Sequence, residues 1–403
     1  MKHRFLPLGA VIAAAGGALA ITTLSPAPVP RYTQVTPPQE RVVACQPVAA
    51  SSFHASSPGE FTVFSPPDAE MKTDQPIIGE AQETLNIVRG TAPWGGYLDA
   101  SGLWAGCQRP ATEGVVGFPD ASVAELRITN PDPTSAAVDL RILGPEGEIE
   151  GLGARGISLA PGESRPVAVS VISELTEGPL AVHWKTTSGR VIAQGVTVSK
   201  VGFVAPSTVA ATEQTLPGIG QGGQAKIVIA NPGDARVSGE VSFHSSSSTY
   251  VPTGGEEVSI PARAAVLVDV SEGAGGELGA VTVTSDEPLA ATLYTGSGDG
   301  AGVAQDASTE FSAALPAGLK VQITNTGEET ADVTVAGTQT HDLQVAGGTT
   351  VAVDAGDGVV TVTSSVPVQA AAVGGTGKTL IPLGETAVAD PEPMNAEQRP
   401  TLR

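Results

Sequence analysis

Apolar and polar positions alternate with period two through three stretches that nearly repeat one another: "LRITNPDPTSAAVDLRI" from Leu126, "IVIANPGDARVSGEVSF" from Ile227 and "VQITNTGEETADVTV" from Val321. Leu126 and Ile128 alternate with Arg127 and Thr129, which is the pattern of a half-buried strand. Proline pushes the residue before it into an extended conformation, so Asn130-Pro131 closes that strand. Val138, Leu140 and Ile142 then begin a second one. The other copies keep the phase, with turns at Asn231-Pro232 and at Asn325-Thr326-Gly327.

The agreement continues downstream. A valine-rich strand recurs as "RPVAVSV" from Arg165, "AVLVDV" from Ala265 and "TVAVDA" from Thr350. Next come "LAVHWKTTSGRVIAQGVTV" from Leu180, "AVTVTSDEPLAATLYTG" from Ala280 and "VVTVTSSVPVQAAAVGG" from Val359, each predicting strand, short turn, strand. About five or six short strands per copy, with turn signals between them, predict an all-β chain of tandem immunoglobulin-like β-sandwiches. The expected sandwiches span 113–205, 206–300 and 301–383, with 205–223 and 296–309 as linkers or long connections. Residues 384–403 are polar and predict a disordered tail.

The segment 42–112 does not match the repeats. It contains "FTVFSPP", a predicted short helix in "GEAQETLNIVRG" and then "PWGGYLDASGLWAGC". A segment this small needs support, so it is expected to pack on the first sandwich. Residues 25–41, rich in Pro and Thr, predict an extended stalk.

Before the stalk, Lys2 and Arg4 precede an apolar stretch, 5–24. It reads as a single-pass signal anchor, because the apolar character continues past Ala20. The alternative is a signal peptide cleaved near Ala20, with Ala18-Leu19-Ala20 as the small-residue site. Both readings place the rest of the chain outside the cytoplasmic membrane. Cys45 and Cys107 are the only cysteines. In an oxidising compartment the pair reads as one disulfide, with two buried thiols as the alternative.

Composition narrows the partners. The chain has 403 residues and a net charge of −21, with 42 acidic against 21 basic side chains. Such a surface repels nucleic acid and anionic lipid. Aromatic residues are 4% of the chain, so the cores are built mainly from aliphatic side chains.

The hairpin "LRITNP", the following "LRILGPEGEI", the later "VTVTSDEPLAA", the membrane-proximal Cys45, and Cys107 just ahead of "VVGF" together resemble an actinobacterial exported family, domain of unknown function 5719. The third copy departs from it, with "NTGEE" where the others have Asn-Pro. The resemblance spans about residues 40–380. It implies an exported, membrane-associated envelope protein, with family members encoded near envelope-glycan synthesis genes. It implies no reaction and carries over no functional residues.

Few residues suggest chemistry. "GLGARG", Gly151 to Gly156, fits the dinucleotide fingerprint but lies between strand patterns, where no helix N-terminus follows to hold a phosphate, so it reads as a hairpin loop. The five histidines, His3, His54, His183, His244 and His341, show no metal-ligand spacing. His183 alternates with Val182 and Trp184 and is expected on a solvent face, with Trp184 in the core. Asp299, Asp306, Asp354 and Asp357 read as solvated turn residues. Ser245–Ser248 reads as a loop tip. No catalytic residue, metal or cofactor is expected.

One cluster stands apart. Trp94, Tyr97 and Trp104 fall within eleven residues among Gly95, Gly96, Gly102 and Gly106. Exposed rings on glycine-rich loops would bind a sugar or anchor a partner. Buried rings would fill the small core around Cys45 and Cys107. The expectation is a non-catalytic, extracytoplasmic scaffold or accessory subunit whose partner is an envelope protein. The alternative is a carbohydrate-binding array for cell-wall glycan.

Overall fold

The structure, a computed structural model, describes residues 41–386 except 68, 152, 176 and 198–203. The expected anchor, nearly all of the stalk and residues 387–403 lie outside the described residues. Among the described residues the fold is all-β, with one short 3-10 turn, Ala121–Val123, and one helical turn, Val169–Ile172. Among the described residues no helix is long and apolar enough to cross a membrane.

Each repeat builds two sheets around an aliphatic core. In residues 113–206 one sheet runs Glu148–Ile149, Ala136–Leu143, Leu180–Ser188, Glu113–Phe118. The other runs Ser164–Ala168, Ala124–Thr129, Ile192–Thr197, Val204–Pro206. Numbered along the copy, with Glu148–Ile149 and Ile157–Leu159 together as the fourth position, the orders are 4-3-6-1 and 5-2-7-8. Leu126, Ile128, Val138, Leu140, Ile142 and Trp184 from both sheets meet in one buried cluster. The copies 211–303 and 308–385 have the same two orders. In these copies the sixth and seventh strands are single 17-residue strands, Gly279–Thr295 and Gly358–Gly374, that run from one sheet into the other. The turn expected within each of them is absent. The first copy does break there, at Gly189 with φ 71°.

The first and second strands of every copy lie in opposite sheets, whereas the immunoglobulin arrangement keeps them together. The immunoglobulin-like expectation is therefore corrected: the sheets pair as sandwiches, in a different strand order.

Residues 41–106 are a fourth copy, and this corrects the expectation of an unrelated segment. Their sheets run Ala69–Thr73, Phe61–Ser65, Asn86–Gly90, Arg41–Cys45 and Ile77–Glu80, Ser52–Ser56, Trp94–Leu98, Trp104–Gly106. These are again 4-3-6-1 and 5-2-7-8. The predicted helix is replaced by Asn86–Gly90, which pairs on both sides with Arg41–Cys45 and Phe61–Ser65. Ala81, Leu85 and Val88 keep helical spacing, but Ile87 and Val88 are β-branched, and both are buried in the strand.

Two expected linkers are also strands. Ala211–Ile219 opens the second copy and Gly300–Val303 closes it. Pro217 obscured the first of these. It sits at a register shift of the edge pairing, where a missing N–H is tolerated. Gly384–Glu385, assigned to the tail, pairs with Phe311 and Ser312.

The copies join head to tail. The outer face of each 5-2-7-8 sheet receives the first strand, or its end, from the copy before it. Gly117 donates to Thr292 Oγ1 at 3.2 Å, and Tyr294 donates to the Gly117 carbonyl at 2.6 Å. Gln322 donates to the Ile219 carbonyl at 2.8 Å, and His54 to the Ala314 carbonyl at 2.9 Å. Gln46, next to Cys45, donates to the Arg127 carbonyl at 2.9 Å. The order of contacts is therefore N-terminal copy, first, second, third and back to the N-terminal copy. Head-to-tail interfaces close into a cycle when their rotation permits. The four eighth strands touch one another in the same cyclic order, so these edges are covered. The N-terminal copy thus has two neighbours, the first copy through Gln46 and the third through His54.

Candidate functional site

The aromatic cluster lies at the contact that closes the cycle. Along Trp94–Leu98, Trp94 and Gly96 face outward and Tyr97 faces the core. Trp104, on the neighbouring strand, folds across Gly96, where an added Cβ would clash with the indole. The two indoles stack, with centroids 5.3 Å apart and planes 18° from parallel. Both join the core of the third copy, alongside Phe311, Val368 and Leu383. Trp94 Nε1 donates to the Pro382 carbonyl at 2.8 Å, and Gly384 lies against its ring. Thr379 donates to the Gly102 carbonyl at 2.7 Å.

His54 completes this seam. Its Nδ1 carries the proton, because the Ala314 carbonyl only accepts. Its Nε2 therefore accepts from the Ser52 hydroxyl at 2.9 Å. The imidazole meets Trp104 edge-on at 5.8 Å. Burial lowers its pKa, and the Ala314 carbonyl opposes that shift.

Tyr97 does what a core ring around the disulfide would do. It is 1% exposed, packs on Phe53 at 5.1 Å, accepts from Asn86 Nδ2 at 2.6 Å and donates to the Thr84 carbonyl at 2.6 Å. Burial pushes its phenol up to about 12. The Cys45–Cys107 disulfide is formed and joins the start of this copy to its end, with Cys107 Sγ against Gly95. Trp94 and Trp104 are 8% and 6% exposed. Protein occupies the faces on which a sugar would stack, because the third copy lies over them.

The remaining candidates are dispersed. Residues 153–156 lie between the strands Glu148–Ile149 and Ile157–Leu159, outside any helix N-terminus. Trp184 is in the first core, its Nε1 donating to Ser207 Oγ at 2.9 Å. His183 is on the outer face of its strand but half-buried, bonded to Glu113 at 2.8 Å. Ser246 and Ser247 form the expected tip, while Ser245 is buried and its carbonyl accepts from Thr350 N. Among the described residues no three His, Cys, Asp or Glu side chains converge as a metal site.

Sequence reasoning missed the densest charge cluster. Arg141, Arg155 and the second copy's Arg263 lie 2.9, 3.6 and 3.3 Å from Glu148. The Arg141 hydrogen bond holds the Glu148 carboxyl below its ordinary range. These charges pair across strands and across a copy boundary, so no spacing in the chain announces them.

Residues 99–355 match the family described as a family of unknown function (DUF5719). The chain belongs to it. The match runs from the end of the N-terminal copy into the third, a narrower span than the resemblance suggested. Cys107 and Trp104 fall inside the DUF5719 region; Cys45, Trp94 and Tyr97 precede it. No curated protein and no solved structure matches the chain.

Proposed function

We propose that this DUF5719 chain is a non-catalytic cell-envelope protein, anchored by residues 5–24 with its body outside the cytoplasmic membrane. There it acts as a scaffold or accessory subunit for another envelope component, such as glycan-synthesis machinery. The observation that carries this reading is the closure of four sandwiches into one cycle. Among the described residues, Trp94, Trp104, Gln46, Gln322 and the two buried histidines lie on internal seams, which makes a rigid platform. The buried disulfide fits an oxidising compartment. The acidic surface favours protein contacts over nucleic acid or anionic lipid. The glycan-binding alternative rested on exposed rings, and Trp94, Tyr97 and Trp104 are buried.

The test is affinity purification of C-terminally tagged protein from membranes in mild detergent, with mass spectrometry of what accompanies it. A stoichiometric membrane glycosyltransferase or transporter is the expected result. Recovery of the protein alone would overturn the accessory role.

A further inference from the structure

Among the described residues two histidines are buried, His54 and His244, at 1% and 5% exposure. Each lies in a seam of the third copy. His54 faces the Ala314 carbonyl on that copy's first strand at 2.9 Å. His244 ends a strand of the second copy. Its Nε2 meets Thr282 Oγ1 at 2.8 Å and its Nδ1 meets Thr249 Oγ1 at 3.0 Å. Thr249 in turn donates to the third copy's Gly348 carbonyl at 2.6 Å, and Thr350 Oγ1 donates to the carbonyl of His244 itself at 2.9 Å. The first copy's seams are held by other groups: Gln46 on Arg127 on one side, Tyr294 on Gly117 on the other.

The geometry points to an acid-operated release of the third copy. Protonation of His54 and His244 loosens residues 308–385 from both neighbours, while the other three copies stay joined. Three features support it. The residues flanking this copy on its N-terminal side, 304–307, form a short non-strand connection, so two seams hold the copy in place. Neither imidazole has a carboxylate hydrogen-bonded to it in its seam; each faces hydroxyls, carbonyls or an indole, which leave an imidazolium poorly solvated. Burial favours the neutral ring at both positions.

The sign follows from linkage. A closed seam that holds its histidine below the ordinary value of 6.5 binds fewer protons than an open one. Seam stability is then full above pH 6.5 and falls as the pH drops below it. Two charged groups oppose the effect. Glu213 of the second copy favours the His244 cation. Near the N-terminal seam burial raises the Glu385 carboxyl, with Asp306 adding to this and Arg109 and Arg41 working against it, so protonating Glu385 favours the closed form. Glu80 and Glu310, on the strands flanking His54, are exposed to solvent.

The experiment is amide hydrogen exchange of the full chain at pH 7.5 and pH 5.5, corrected for intrinsic exchange. Amides of Ser308–Leu315 and Lys320–Asn325 are expected to lose protection at pH 5.5. The loss is roughly tenfold for each unit by which a seam depresses its histidine. Amides of Ala124–Thr129 keep theirs. The double variant His54→Gln, His244→Gln keeps a donor and an acceptor at each position and is expected to be insensitive over this range. A wild type that loosens uniformly, or a folded double variant that responds like wild type, overturns the release. A histidine proton titration of the wild-type protein decides independently of the variants: two rings titrating below 6.5 in step with the exchange change support it, and none doing so contradicts it.

Discussion

The Asn325 carboxamide donates to the Glu329 carbonyl at 2.7 Å, the bond that Asn130 makes to Thr134 at 2.8 Å in the first copy. Asn231 makes it to Ala235 at 2.7 Å in the second. All three side chains are fully buried. Each also reaches back to a strand-end carbonyl, Leu159, Ile260 or Val345, and accepts from the backbone N–H two residues on. The recurring asparagine thus pins a turn to the opposite edge of the core. The proline after it is secondary, since the third copy has Thr326 there and keeps every one of these bonds. Asn130→Ala is expected to destabilise the protein by roughly 2–4 kcal/mol, through several stranded backbone groups. Pro131→Thr should change stability by less than about 1 kcal/mol. Urea unfolding of the two variants checks the contrast.

Trp104→Ala should cost about 3–5 kcal/mol, as expected for a large buried aromatic. The loss has a location as well as a size. Protection of Trp94–Leu98 and Ser308–Leu315 against hydrogen exchange should fall together, while Ile227 and Ile229 of the second core stay protected. A variant that loses only local protection around residue 104 would show that the indole does not bind the two copies.

Replacing both Cys45 and Cys107 with Ala should lower stability by about 4 kcal/mol, from the loop-closure entropy of the 62-residue separation. The N-terminal copy should unfold first, because its core, led by Phe53, Phe61 and Tyr97, is the smallest of the four. Thermal unfolding with and without reductant, read by circular dichroism, checks the order.

Tyr97 predicts behaviour at high pH. Its phenol sits near 12 in the folded protein, against 10.0 without burial. The raised value favours the neutral ring, so its contribution to stability is complete below pH 10 and is lost as the pH climbs through 12. Ultraviolet titration of tyrosinate should show Tyr97 and the fully buried Tyr294 ionising only as the protein unfolds.

The three later copies were legible because each carries the same asparagine at the same phase of an alternating strand. The N-terminal copy was not, because Ser57 occupies the equivalent place and accepts a single bond, from Ala92 N. Its strands are only three to five residues long, which hides the period. Tyr97 lies in the core of the N-terminal copy. Trp94 and Trp104 also proved buried, but beneath a copy more than two hundred residues away. A contact between His54 and Ala314 spans 260 positions. Alternation tells which face of a strand is apolar, but not which distant strand covers it.

Closure of the cycle is tested most directly by the distance between its two ends. Spin labels at Ser101→Cys and Thr376→Cys sit on exposed loop positions close to the Thr379–Gly102 hydrogen bond. Double electron–electron resonance on the intact protein at neutral pH should give one short, narrow distance distribution. A long, broad distribution would mean that the N-terminal and third copies do not meet, and would contradict the closed platform.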